Sequence, residues 1–496
     1  MSAPPLIKSR ESTATNTLFQ PSAVPNTVAQ NNECLIQGAF IYTANPQQPF
    51  IQNGWLWLRD SQIAGMGECG IHPEPAVKTI INGRGRLLVP GFVNPHWHES
   101  FAAPNDERAD DSHVAPTAYA RGGDIAALGA LFGFISGVGK RMTLGEAQAI
   151  ARWSLWTQLR SGTTAIGDMG SANTADGLAL AAIDLGMRIR VSRWGSDIMI
   201  PYGASDFKRI ANTQEQADDW LALLERWHNH RSGLVGGMPS VMGAFGSSNE
   251  QLAALADVVS RFDTPYATHL APLKNERDAV QRVFGRSPIE RFDDHGLLTP
   301  RLLAVHTAYA SEPEYQRLLA TGVHLCHAPA HYGMLGEATL SETKQLARFM
   351  RDGASVSTST DGDITFIGGM PEALRATHLC HNEANNCTTT CPPTAALITG
   401  TFNGAKALGW GDKIGTLAVG KQADVVLINI DDYRYRLGNH PLRTFLVAGS
   451  SKDVDTVIVA GQIVVQNGKS TRFEEGELFK DFEAAVASIR RRIHSP

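Results

Sequence analysis

The 496-residue chain is 43% hydrophobic and 19% charged, an ordinary globular composition. It exceeds the roughly 250 residues of a single barrel, so a large domain with a smaller companion is expected. A net charge of -5 with no basic block argues against nucleic acid or an anionic membrane as partner, and no apolar stretch is long enough to cross a bilayer.

Residues 1–30 are rich in Ser, Thr, Asn and Pro and lack the apolar centre of a signal peptide, so a disordered tail on a cytoplasmic protein is expected. Short β-type runs punctuated by turn residues follow over 31–86, and similar runs return at 423–428 and 454–465. Together the segments 31–86 and 413–496 predict one discontinuous β-sandwich domain, closed by a helix over 474–492. Six scattered cysteines, Cys34, Cys69, Cys326, Cys380, Cys387 and Cys391, do not make a disulfide framework, and reduced thiols are expected. The group His378, Cys380, His381, Cys387 and Cys391 has the ligand types of a structural zinc site without finger or ribbon spacing.

Between the two β-rich ends, over 87–412, strand-like runs alternate with helix-like stretches. The strand candidates are 87–94, 163–167, 187–191, 234–242, 266–269, 302–306, 323–327 and 354–360; helices are expected at 144–159, 214–227, 249–261 and 341–351. Eight strands alternating with helices predict an α/β fold, a (β/α)8 TIM-like barrel whose chemistry lies at the C-terminal strand ends. The polar residues fall there. His96 and His98 close the first strand, His269 the fifth, His306 the sixth and Asp361 the eighth. Residues two apart on a strand share a face, so His96 and His98 can reach one ion, and Trp97 between them must face the opposite layer. Four imidazoles and a carboxylate at one mouth do not fit barrel packing, which is apolar and branched.

These residues carry a resemblance. Pro90-Gly91-Phe92-Val93-Asn94-Pro95-His96-Trp97-His98, Ser161-Gly162-Thr163-Thr164, Thr268-His269, Val305-His306, Ser359-Thr360-Asp361-Gly362 and the run from Gly415 to Asp424 resemble the amidohydrolase superfamily, in its branch of aminohydrolases and atrazine-chlorohydrolase-like enzymes. The resemblance spans about residues 34–470. It implies that His96, His98, His269 and Asp361 are metal ligands, with His306 beside the water that the metal activates, and it implies a homo-oligomer. Two departures matter. The fourth-strand run 234–242 has no lysine to bridge two metals, which favours one ion, and Pro272 stands where aminohydrolases of the branch carry a proton-shuttling glutamate. Glu276, the nearest acid, is displaced from that position.

Three imidazoles and a carboxylate suit one divalent ion, Zn(II) first, with Fe(II), Co(II) or Mn(II) also compatible. Asp361 is the expected general base and then acid, and His306 the residue that orients water or polarises the electrophile. His327, His331 and Tyr332 follow the seventh strand and are expected to contact a small-molecule substrate. Asp168, past the second strand, either orients a ligand or caps a turn, and the insertion 99–143 is a lid or a subunit contact. Protonating a ring nitrogen needs an acid that Pro272 cannot supply, whereas an amide, urea, carbamate or thiocarbamate carbonyl is already electrophilic. Hydrolysis of a non-peptide C–N bond is therefore expected; the alternative is deamination or dechlorination of an azaheterocycle, and a non-catalytic scaffold is the remaining possibility.

Overall fold

The computed structural model describes residues 33–99, 125–362, 368–436 and 438–494. The expected tail 1–30 and the stretch 100–124 of the insertion lie outside the described residues.

The apolar run that reads as one strand is two. Arg86–Pro90 and Phe92–His98 are separated at Gly91, where a Cβ would collide with the Thr164 side chain. Arg86–Pro90 turns outward, pairing antiparallel with Val425–Asn429 and parallel with Glu33–Tyr42. The expected boundary at residue 87 thus falls inside a strand shared with the chain ends. Strands from both ends form a nine-stranded sheet that runs from Lys469–Ser470 through Gln462–Gln466, Val454–Val459, Val425–Asn429, Arg86–Pro90, Glu33–Tyr42 and Phe50–Arg59 to Gln62–Glu68, with Thr79–Asn82 against Glu33–Tyr42. Ile36, Ile41, Leu56, Leu58, Leu88, Val425 and Leu427 pack over one another on it.

Phe92–His98 turns inward and begins a TIM-barrel-like α/β arrangement. It pairs in parallel with Thr163–Asp168, which pairs with Arg188–Val191, which pairs with Val235–Gly237. A second parallel sheet contains Ser240–Gly243, Tyr266–Leu270, Leu302–His306, His324–His327 and Val356–Thr358. All eight expected strand positions are occupied, yet among the described residues the ring is not closed by hydrogen bonds. The fourth strand breaks at Pro239, which has no N–H for the ladder, and the eighth breaks between Thr358 and Asp361. Beyond that break Asp361–Gly362 pairs with Trp97 and His98.

The helices follow their sequence signals. Leu144–Arg160 starts with a Thr143/Glu146 capping box, and Asn249–Arg261 starts with Ser248 accepting from the Gln251 N–H at 3.1 Å. Leu252, Leu255, Val258 and Val259 recur at helical spacing and are buried, each worth about 1.5–3 kcal/mol in transfer terms. The fourth expected helix is shorter, Gln345–Arg351 rather than 341–351, and the closing helix is Glu475–His494. Among the described residues no helix is long and apolar enough to cross a membrane. All six cysteines are free.

Candidate metal centre

Each strand end delivers its polar side chain to one point. His96 Nε2 lies 3.3 Å and His98 Nε2 3.7 Å from Asp361 Oδ1, and His98 Nε2 lies 3.3 Å from His269 Nε2. His306 Nε2 and His331 Nε2 approach Asp361 Oδ2 at 3.7 and 3.9 Å. Among the described residues, the groups whose ligand atoms lie within 4.8 Å of one another are His96, His98 and His269, and His96, His306 and Asp361. The backbone at these strand ends is left-handed: φ is 47° at Ala271, 70° at His306, 46° at Thr307 and 60° at Asp361. Such non-glycine residues are uncommon, cost of order 1–3 kcal/mol each, and gather where the surrounding structure over-determines a site.

The outer ring nitrogens are anchored. His269 Nδ1 donates to the Met242 carbonyl at 2.6 Å, His98 Nδ1 meets Ser171 Oγ at 3.0 Å, and His306 Nδ1 meets Tyr332 Oη at 2.8 Å. This fixes the Nδ1–H tautomer of His269 and turns its bare Nε2 inward, the second sphere of a metal ligand. Burial pushes the imidazole of His269 down to about 4 and those of His98 and His306 well below their usual range, with neighbouring rings adding to the effect. Burial alone would raise the Asp361 carboxyl, but His331 and His96 hold it well below the usual carboxylate range. Among the described residues, fully buried His96 has neither nitrogen in a hydrogen bond, and Asp361 Oδ2 likewise accepts none. Neutral imidazoles, an ionised carboxylate and orphaned buried acceptors all fit a divalent cation.

The walls around this cluster are apolar. Phe132, from the helix Ile125–Gly139, lies 5.5 Å from the His98 ring and 4.7 Å from Trp194, so the described part of the insertion forms a wall of the site. Among the described residues, Met242, Phe245, Pro272 and Leu273 also line it, with His98, His269, His306, His331 and Asp361. Of these apolar residues the sequence marks Pro272, at the expected acid position, and places Phe132 in an insertion; Phe245 and Leu273 carry no such mark.

Not every expected contact is brought to the cavity. His331 lines it, whereas Tyr332 stands behind His306. His327 turns away: its Nδ1 donates to the Ser357 carbonyl at 2.7 Å and its Nε2 meets His381 Nε2 at 2.8 Å, so both nitrogens are engaged between strand and helix. His378 Nδ1 donates to the Cys391 carbonyl and Cys387 is exposed, so the His/Cys group gathers no third metal cluster among the described residues. Asp168 is buried near the backbone N–H groups of Gly170, Ser192 and Glu99, its carboxyl raised to about 7 by burial against their pull. Glu276 is fully buried beside Arg291 and outside the cavity lining, its carboxyl pushed up by burial. Trp97 packs in the apolar layer with Leu155 and Trp156, opposite the histidines.

The buried histidine pair makes stability pH-dependent. Burial holds His327 at about 3 and His381 at about 4, below the roughly 6.5 of an unfolded chain. The unfolded state therefore binds more protons below about pH 6.5, and the stabilisation present above that value is lost as pH falls toward 4, at up to about 1.4 kcal/mol per pH unit per imidazole. Denaturant titration of the metal-free protein between pH 7 and 5 should show this slope. His381→Gln should make it shallower by up to one imidazole's share, with His327, His269, His98 and His306 supplying the rest, and an unchanged slope in that variant would assign the effect elsewhere.

The model of the amidohydrolase family matches residues 87–464. The chain belongs to this family. It is a hydrolase of carbon–nitrogen bonds other than peptide bonds, and its own His/Asp cluster is compatible with a metal site. The 5'-deoxyadenosine deaminase of Methanothermobacter thermautotrophicus is 28% identical over 468 residues, covering 92% of this chain and 99% of that protein. A triazine hydrolase variant superposes with a TM-score of 0.80 at 20% identity, covering 92% of this chain and all of that one. A zinc-bound adenosine deaminase from Xanthomonas campestris gives 0.77 at 20% identity, covering 92% and 98%.

Proposed function

We propose that this amidohydrolase cleaves an amide, urea, carbamate or thiocarbamate C–N bond in a small molecule with apolar substituents. The observation that carries the proposal is the cavity wall at Pro272: an apolar ring occupies the expected acid position, and Asp361 is the one carboxylate among the described lining residues. His96, His98, His269 and Asp361 would hold a single ion, Zn(II) by the nitrogen-rich donor set. Such an ion supplies Lewis-acid polarisation and a nucleophile at neutral pH.

The remaining work falls to the chain. Asp361 takes one proton from the attacking water as the C–O bond forms and then passes it to the nitrogen as the C–N bond breaks, so the amine leaves neutral and the water's other hydrogen stays with the acid-derived product. His306, held from behind by Tyr332, faces the carbonyl and stabilises charge developing on its oxygen. Phe132, Phe245, Met242 and Leu273 enclose the apolar substituents and His331 contacts the polar end. We further propose a homo-oligomeric cytoplasmic enzyme in which the two chain-end segments, together with the strand Arg86–Pro90, form a separate β domain beside a barrel that begins at Phe92.

A second proposal, hydrolytic deamination of an azaheterocycle, is favoured by the deaminase relative that matches along 92% of this chain. Mass-spectrometric product analysis of metal-reconstituted protein separates the two. Ureas, anilides, carbamates and thiocarbamates should split into amine and acid-derived fragments. Exchange of an amino or chloro group for hydroxyl on an intact ring, with no carbonyl substrate consumed, would reverse the preference. Phe132→Ala should raise KM by roughly tenfold or more for substrates with bulky apolar substituents, the loss expected from about 1.5–3 kcal/mol of aromatic burial. Unchanged kinetics with an altered oligomer would make the insertion a subunit contact instead.

A further inference from the structure

The eighth strand changes partners in the middle of the site, and one side chain spans the change. Val356–Thr358 pairs with the seventh strand and Asp361–Gly362 with the first, leaving Thr360 between the two ladders. Its backbone N–H donates to Asn94 Oδ1 at 3.2 Å, and Asn94 Nδ2 donates to Thr360 Oγ1 at 2.7 Å. Asn94 is fully buried, on the strand that two residues later presents His96. A carboxylate at this position could not donate and an apolar side chain could do neither, so the amide matches both needs of Thr360. The next residue is Asp361, with φ of 60° and its Oδ1 accepting from the Gly362 N–H at 2.9 Å.

We propose that Asn94 is a positioning residue for the metal centre: by clamping Thr360 from the first strand, it fixes the Asp361 carboxylate against His96 and His98. This rests on Asp361 being a metal ligand. The clamp acts on geometry that spans two strands, so its loss lets the carboxylate swing while both histidines stay in place. Asn94 Nδ2 also reaches Gln158 Oε1, at 3.5 Å, a contact that touches no part of Thr360 and so provides a control.

The test uses the full chain loaded with Co(II), reading the visible ligand-field band, the Co(II) dissociation constant by chelator competition, and the melting temperature of metal-free protein. Asn94→Ala should weaken Co(II) binding 10–100-fold, the usual cost of losing an outer-sphere partner, and should shift the band. Gln158→Ala should lower the melting temperature with band and affinity unmoved. A purely structural Asn94 would lose melting temperature alone, and affinity within twofold of wild type with an unshifted band overturns the proposal. If Asn94→Ala does not fold, Thr360→Val decides: it keeps the branched shape and the backbone bond, and should still weaken binding by about threefold or more. No change there overturns the clamp. Asp361→Ala separates the two levels, because full Co(II) affinity in that variant would remove the ligand assignment itself, whereas loss in Asp361→Ala without loss in Asn94→Ala removes only the clamp.

Discussion

Asp361→Asn should lower turnover by about 10³-fold or more in protein carrying its full complement of metal. Asparagine keeps the size of aspartate and one carbonyl oxygen toward the histidines, so the fold and much of the coordination geometry survive. It cannot accept a proton, and a positioned general base alone is worth about 10²–10⁴-fold. The loss is compounded by charge: Asp361 is the one carboxylate among the described lining residues, within 3.9 Å of the Nε2 atoms of His96, His98, His306 and His331. Steady-state kinetics must be paired with metal content per chain, since a variant that merely loses its ion would mimic the effect. Turnover near the wild-type rate at full occupancy would remove Asp361 as the proton carrier.

How much of this was legible in the sequence depended on whether a residue's role is set locally. The alternating strands and helices could be read because burial on both faces gives each strand a short apolar run bounded by turn residues. The five polar residues stood out because they interrupt those runs at the same end. Trp97 was placed correctly by the period of two alone. The split at Gly91 was hidden, because Leu87 to Val93 is continuously apolar and the change of direction is set by the close approach of Thr164, 73 positions from Gly91.

Side chains beyond the strand ends were harder. His327 and His331 look alike in the sequence, four residues apart, yet His327 still belongs to the strand and packs toward His381, while His331 lies on the short helix Pro329–Leu335 and turns into the cavity. Tyr332 was expected at the substrate and instead braces a catalytic candidate. Phe132, Phe245 and Leu273 line the site through long-range packing, for which the sequence carries no periodic mark. Asn94 lay in the quoted motif without a role, since its partner Thr360 is 266 residues away.

The brace on His306 leads to the second large effect. His306→Asn should reduce kcat by about 10²–10³-fold at unchanged metal content, the range found when one preorganised donor to a developing oxyanion is removed. Tyr332→Phe keeps the buried ring and deletes only the hydroxyl at 2.8 Å from Nδ1, so it should cost less, on the order of tenfold, by freeing the imidazole to rotate and change tautomer. Because Tyr332 reaches the substrate only through His306, the two losses should not add. In the His306→Asn background the further change Tyr332→Phe should cost nothing measurable, and the double-mutant cycle should return nearly the whole Tyr332 effect as coupling. A full tenfold loss in that background would mean that the tyrosine hydroxyl acts on the reaction by its own route, as the order of residues after the seventh strand first implied.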